Sequence, residues 1–224
     1  MQRETPACSI HFPIFASENT AMRKNLFIAL EGIDGSGKTT QAEILAKHLT
    51  DKGHKVHLTC EPTKHSIGRL IRDIFSGKLD ADHRVIAALF AADRLDHLLN
   101  EEDGLIKKYE EGYTIICDRY YLSSYAYHSV HTSMDWVIQS NALSVSLLKP
   151  DMHLYFDMDP KVSMDRINAS RPSTELYETL ENLVEVRDKY EEAIARIEKD
   201  EKIVRINGNR SVEKVAKEIL AAVG

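Results

Sequence analysis

The sequence predicts an α/β fold in three layers, a parallel five-stranded sheet covered by helices on both faces. Three observations lead there. Short apolar runs, each the length of a buried strand, recur at residues 26–30, 56–60, 113–117, 153–156 and 203–206. Stretches of helical periodicity lie between them, and such alternation implies right-handed crossovers and parallel strands. The runs also end in polar residues, at Glu61, Asp118-Arg119, Asp157 and Asp159. Ligands bind outside the carboxyl ends of strands in an open parallel sheet, so these residues are expected to converge on one crevice. A chain of 224 residues, 43% hydrophobic and 29% charged, suits one domain with a single large core.

In chain order, residues 1–22 carry a mild apolar patch broken by His11 and Pro13 and preceded by Glu4. They are expected to form a disordered extension rather than a signal peptide, with Met22 a candidate functional start and residues 23–224 the folded domain. The first strand, 26–30, runs into Gly32-Ile33-Asp34-Gly35-Ser36-Gly37-Lys38-Thr39-Thr40. Gly32, Gly37, Lys38 and Thr39 satisfy G-x-x-x-x-G-K-[ST] without mismatch. Successive amides of such a loop, with the N-terminus of the following helix, form a concave anion site. All nine residues are therefore expected to hold a nucleoside triphosphate. Lys38 would reach the β- and γ-phosphates, and the Thr39 hydroxyl would ligate Mg²⁺. The required helix follows, with Ala42, Leu45, Ala46 and Leu49 on one face and Gly53 at its end.

After the second strand comes Glu61-Pro62-Thr63, then a helix on which Arg69 and Arg72 share a face. The helix expected over 82–100 has Val85, Ile86, Leu89, Phe90 and Leu98 as its apolar stripe, with Phe90 and Arg94 one turn apart. A ring beside a guanidinium suits a nucleobase, the one stacking on its face and the other donating to its edge. A core phenylalanine beside a solvated arginine is the plainer alternative. Asp118-Arg119 closes the third strand, where an arginine shares a cavity with Lys38 and can hold a phosphate bidentately. Residues 120–128 are then dense in tyrosine, serine and histidine, groups that bind sugars and bases but also pack helices. Around Pro172 the polar stretch 168–178 reads as either a lid or a surface connection.

Net charge is −6, which weighs against nucleic acid as a partner. No apolar stretch is long enough to span a bilayer, so no membrane partner is expected. Cys8, Cys60 and Cys117 have no paired or CxxC spacing, which points to a reducing, cytoplasmic setting. No strand is followed by the Asn-Lys-x-Asp guanine signature, which argues against a switch GTPase.

Taken together, EGIDGSGKTTQ, EPT with IGRLIR downstream, LFAADR and DRYYLSSYAY resemble the thymidylate kinase family of P-loop nucleoside monophosphate kinases. Order and spacing match from about residue 23 to the C-terminus. The resemblance implies a P-loop NTPase fold with a small lid at about 168–179. It implies transfer of the γ-phosphoryl group of ATP to dTMP, giving dTDP, with Mg²⁺ and a homodimer. On that basis Phe90 stacks on thymine, Arg94 bonds its edge and Ser124 lies near the base. Tyr127 packs on the deoxyribose and disfavours a 2′-hydroxyl. Arg119 holds the acceptor phosphate, with Glu61 and Arg72 also on the acceptor side, and Asp118 organises the phosphate and metal region. The alternatives are a P-loop kinase for another nucleoside or monophosphate, or a catalytically weakened nucleotide-binding regulator.

The chain also departs from common family patterns. It has Cys-Glu-Pro-Thr where many bacterial members read Arg-Glu-Pro-Gly-Gly-Thr, a form closer to the branch common in archaea. The lid reads Glu175-Leu176-Tyr177-Glu178 rather than Asp-Arg-x-Glu, Gly35 stands where eukaryotic members have arginine, and His128 replaces a frequent glutamine. Charge on the transferred group then falls to Arg171 or Arg166.

Overall fold

The computed structural model describes residues 25–170 and 176–224. The expected N-terminal extension and Arg171 lie outside the described residues.

The chain runs β1 (Phe27–Gly32), α1 (Lys38–Asp51), β2 (Val56–Cys60), α2 (Ser66–Phe75), α3 (His83–Leu99), α4 (Leu105–Glu110), β3 (Thr114–Asp118), α5 (Tyr121–His128), α6 (Met134–Leu147), β4 (Met152–Asp157), α7 (Pro160–Ser170), α8 (Leu180–Ile197), β5 (Ile203–Asn207) and α9 (Val212–Val223). The five strands form one sheet in the order β2-β3-β1-β4-β5, and every pairing is parallel. The α/β expectation therefore holds.

β1 is central and buried along its whole length. Strand side chains alternate between faces, and the core divides accordingly. Phe27, Ala29, Ile115 and Cys117 pack with Phe90, Tyr121 and Tyr190 of α3, α5 and α8. Ile28, Leu30, Ile116 and Leu154 pack with Leu45 of α1 and Ile219 of α9 on the other face. This sandwich fixes the carboxyl ends of β1 and β3 side by side, with Leu30 in register with Asp118.

Three details differ from the expectations. β1 extends two residues past Leu30, so Glu31 and Gly32 belong to the sheet. The outer strands β2 and β5 are only partly buried, because each lies at an edge of the sheet. Val85 sits on the solvent side of α3, half exposed, so the buried stripe of that helix is narrower than its apolar pattern.

Candidate active site

Two clefts open at the carboxyl ends of the strands. One, of about 900 Å³, is lined by Asp34–Gln41 of the phosphate loop together with Asp118, Arg119, Arg166, Gly208 and Arg210. The other, of about 390 Å³, is lined by Glu61, Arg72, Phe90, Arg94, Ser124, Tyr127 and His128, among others. Asp34 and Arg119 line both. They form the wall, and the meeting point, between the two clefts.

The phosphate loop connects β1 to α1. Gly35 has φ +73°, and a Cβ there would stand 2.7 Å from the Ser163 carbonyl of α7. Only glycine satisfies both the left-handed backbone and that close approach, which explains why no arginine occupies this position. Lys38 Nζ donates to the Ile33 carbonyl at 2.9 Å and lies 3.4 Å from Ser36 Oγ. Burial and the neighbouring Arg119 push its ammonium down to about 8, against the pull of Asp118, Asp34 and Glu31. Thr39 Oγ1 donates to Asp118 Oδ2 at 2.6 Å. Asp118 Oδ1 is buried with no hydrogen-bond partner.

Arg119 has φ +71°, a conformation that turns its side chain back across the end of β1. Its Nη1 donates to the Gly32 carbonyl at 2.9 Å and to Ser123 Oγ at 3.2 Å. Its Nη2 donates to Asp34 Oδ1 at 2.5 Å and lies 3.3 Å from Tyr127 Oη. Tyr127 in turn donates to Asp34 Oδ2 at 2.8 Å, and its ring lies 4.9 Å from the guanidinium carbon. Burial opposes charge on Asp34, but Arg119, Lys38 and the Tyr127 bond outweigh it and hold the carboxyl below its usual range. Asp34, expected on the triphosphate side, thus stands between the two clefts.

The second cleft is built on α3. Arg94 is buried; its Nη2 donates to Glu61 Oε2 at 2.6 Å and to Ser124 Oγ at 3.1 Å, and its Nη1 donates to Asn141 Oδ1. Its Nε is a buried donor without a partner. Glu61 Oε1 meets His97 Nδ1 at 3.1 Å, and His97 Nε2 meets Thr59 Oγ1 at 2.9 Å. Phe90 packs beside His128, ring centroids 4.9 Å apart. Burial first, then Arg94, His131 and His83, push His128 down to about 3, so it is neutral at physiological pH. Arg72 clasps the carbonyls of Pro62 and Thr63, shaping the loop that carries Glu61.

A family model described as thymidylate kinase matches residues 30–219. The chain belongs to the thymidylate kinase family. Among curated relatives of this kinase family, the probable thymidylate kinase of Pyrococcus horikoshii is 38% identical over 206 residues, covering 89% of this chain and 96% of the relative. That of Methanocaldococcus jannaschii is 38% identical over 201 residues, again covering 89% and 96%. The probable thymidylate kinase of Methanococcus aeolicus is 38% identical over 200 residues, covering 88% and 94%.

Some strand-end residues go elsewhere than expected. Only Asp118 and Arg119 reach the phosphate loop. Glu61 turns to Arg94, Asp157 binds Arg187 at 2.9 Å, and the Asp159 side chain accepts from Lys161 N at the start of α7. Arg69 bonds Lys64 O and Ser66 Oγ and does not line the cleft. Arg166 lines the phosphate-loop cleft, where its Nη2 donates to the Gly208 carbonyl at 3.2 Å. Within the expected lid, residues 168–170 complete α7, while Tyr177 and Glu178 are buried and line the second cleft.

His97, Asn141 and Tyr190 are site neighbours that no sequence motif names, and Ser123 stands in the 120–128 stretch without a role of its own. His97 lies three residues after Arg94 on α3, the spacing of a shared helix face, and that signal was available. Asn141 and Tyr190 come from helices remote in sequence, and nothing local marks them.

Proposed function

We propose that this chain transfers the γ-phosphoryl group of ATP to dTMP, giving dTDP and ADP. One observation carries the reading: the phosphate-loop cleft and the arginine-floored second cleft meet at Asp34 and Arg119. A triphosphate on the loop and a monophosphate on Arg119 would then approach across one shared wall. Phosphoryl transfer asks the protein chiefly for positioning and charge neutralisation.

The loop amides, Lys38 and Thr40 hold the triphosphate of ATP. Arg119 holds the acceptor phosphate, and the fork geometry of its guanidinium suits that task. Phe90 offers a face for the base, and the unpartnered Nε of Arg94 is a donor for a carbonyl on its edge. Ser124 fixes Arg94, while Tyr127 packs where the sugar must pass. Glu61 and Arg72 act through the loop and through Arg94. A Thr39 hydroxyl beside an Asp118 carboxylate with one unpartnered buried oxygen is a hard-oxygen set that fits Mg²⁺. When bound, Mg²⁺ neutralises charge on the β- and γ-phosphate oxygens. Arg166 already lies in the phosphate-loop cleft, and Arg171, outside the described residues, is the other arginine expected to neutralise the transferred group as the expected lid closes. Closure would exclude water and limit ATP hydrolysis.

A second copy of the chain is the expected partner. Support comes from the large apolar side chains that α3 and α6 expose, Val85, Leu99, Trp136 and Leu143. Among the described residues no helix is long and apolar enough to cross a membrane, and the acidic balance favours neither nucleic acid nor a membrane surface as partner; a cytoplasmic location goes with this reading.

The direct test is ³¹P NMR of the protein with ATP, Mg²⁺ and dTMP. Resonances of dTDP growing as dTMP is consumed are expected. ADP accumulating without dTDP would contradict the proposal.

A further inference from the structure

Behind the site, on the sheet face that carries α5 and α8, two carboxylates are buried with a histidine between them. Glu31 of β1 and His153 of β4 are fully buried. His153 Nε2 meets Glu201 Oε2 at 2.9 Å, and its Nδ1 lies 3.9 Å from Glu31 Oε1, an ion-pair distance rather than a hydrogen bond. Tyr121 Oη also donates to Glu201, at 2.5 Å, and Lys149 lies 3.7 Å from it. Glu31 faces the active site with its other contacts: it accepts from Tyr120 N at 3.1 Å and from Ser123 Oγ at 2.5 Å. A hydroxyl has one hydrogen and two lone pairs. With that hydrogen committed to Glu31, Ser123 can only accept from Arg119 Nη1 at 3.2 Å and from Tyr190 Oη at 2.7 Å. The direction of the relay is fixed from behind.

We propose that His153 is a positioning residue for Arg119, its imidazole bridging Glu201 and Glu31 so that the Glu31–Ser123 relay presents a lone pair to the guanidinium. Removing one member of a buried charge cluster leaves the rest uncompensated, and the side chains around it must rearrange, Ser123 with them. Burial opposes charge on His153, but the flanking carboxylates of Glu201 and Glu31 outweigh it and raise its pKa above the ordinary histidine value. The contribution of the cluster is thus complete below about pH 6.5 and is lost as pH climbs through that raised pKa. The groups facing His153 are Glu31 from β1, Glu201 ahead of β5, and Tyr121 from α5, with Lys149 behind Glu201.

The inference rests on the assignment of Arg119 to the acceptor phosphate, and the test separates the two. Steady-state kinetics for both substrates are measured between about pH 6 and pH 9 on wild type, His153→Gln, Glu201→Gln and Arg119→Lys. His153→Gln should raise KM for dTMP about tenfold at neutral pH, leave kcat and KM for ATP within about twofold, and flatten the rise of dTMP KM with pH. Glu201→Gln, which keeps the imidazole but removes one carboxylate, should move that rise to lower pH. It carries the test if His153→Gln fails to fold. A His153→Gln enzyme that is merely less heat-stable, with wild-type KM and pH profile, overturns the inference, as does an unmoved profile in Glu201→Gln. If Arg119→Lys leaves dTMP KM unchanged, the acceptor-phosphate assignment itself fails. If it raises KM while His153→Gln does not, only the relay is wrong.

Discussion

Replacing Arg94 with leucine removes one half of an ion pair whose two side chains are each 1% exposed. Glu61 is left in the interior with only the His97 contact at 3.1 Å. Losing one partner of a buried pair costs about 3–5 kcal/mol, because the stranded charge has no water to turn to. For a domain of this size that corresponds to a fall in Tm of roughly 6–20 °C. The same change removes the proposed base-edge donor. A hydrogen bond from a charged group contributes about 1.5–3 kcal/mol, so KM for dTMP should rise roughly 10- to 150-fold while KM for ATP stays near its original value. Stability and binding can be uncoupled in the double variant Arg94→Leu with Glu61→Gln, which removes both charges. It should regain at least about 2 kcal/mol over the single variant and still bind dTMP weakly. Thermal unfolding and coupled ADP-release kinetics read the two effects. A single variant that unfolds within about 2 °C of wild type, or a double variant no more stable than the single, would refute the buried-pair reasoning.

Four further outcomes are expected. His128 stays neutral in the fold down to about 3, whereas an unfolded histidine takes up a proton near 6.5, so acid favours the unfolded chain. Wild type should therefore lose about 2 kcal/mol between pH 7 and pH 5 that His128→Gln does not lose, as read by urea denaturation at both pH values; parallel losses would contradict this. Gly35→Arg should lower stability by roughly 2–5 kcal/mol, since the left-handed backbone and the Ser163 carbonyl both oppose a side chain there; a faster, equally stable variant would show that the loop has room. Tyr127→Ala should raise the turnover of UMP relative to dUMP several-fold, about 1 kcal/mol of lost discrimination, and an unchanged ratio would remove Tyr127 from sugar selection. Gly68→Ala places a Cβ 2.0 Å from the Thr63 carbonyl, so the Glu61 loop must shift. A loss of about 1–3 kcal/mol together with a raised dTMP KM is expected in melting and kinetic assays.

The layered fold was legible because strand burial and helix periodicity act locally. The apolar runs fell within two residues of β1 to β5. The phosphate loop was legible because its backbone requirement selects glycine, lysine and threonine at fixed spacing. The interior wiring was less so. Glu61 lines the second cleft, and its carboxylate turns there to an arginine 33 residues away. Arg94 is fixed by an asparagine 47 residues away, and Arg119 is braced through Ser123 by a glutamate 92 residues distant from that serine. Long-range polar pairing leaves no periodic trace, because a carboxylate at a strand end reads the same whether it faces ligand, helix or solvent. Val85 illustrates the converse: an apolar residue in register with a buried stripe can still face outward, and about half of any protein surface is apolar.

The most direct measurement is kcat/KM for ATP- and Mg²⁺-dependent ADP release with dTMP, dUMP, UMP, dCMP, AMP and thymidine as acceptors, wild type beside Lys38→Ala. Phosphoryl transfer to dTMP from a triphosphate on the phosphate loop predicts that dTMP is preferred over every other acceptor and that turnover is abolished in Lys38→Ala. A higher kcat/KM for another acceptor, turnover surviving in Lys38→Ala, or ATP bound without acceptor-dependent turnover would contradict it.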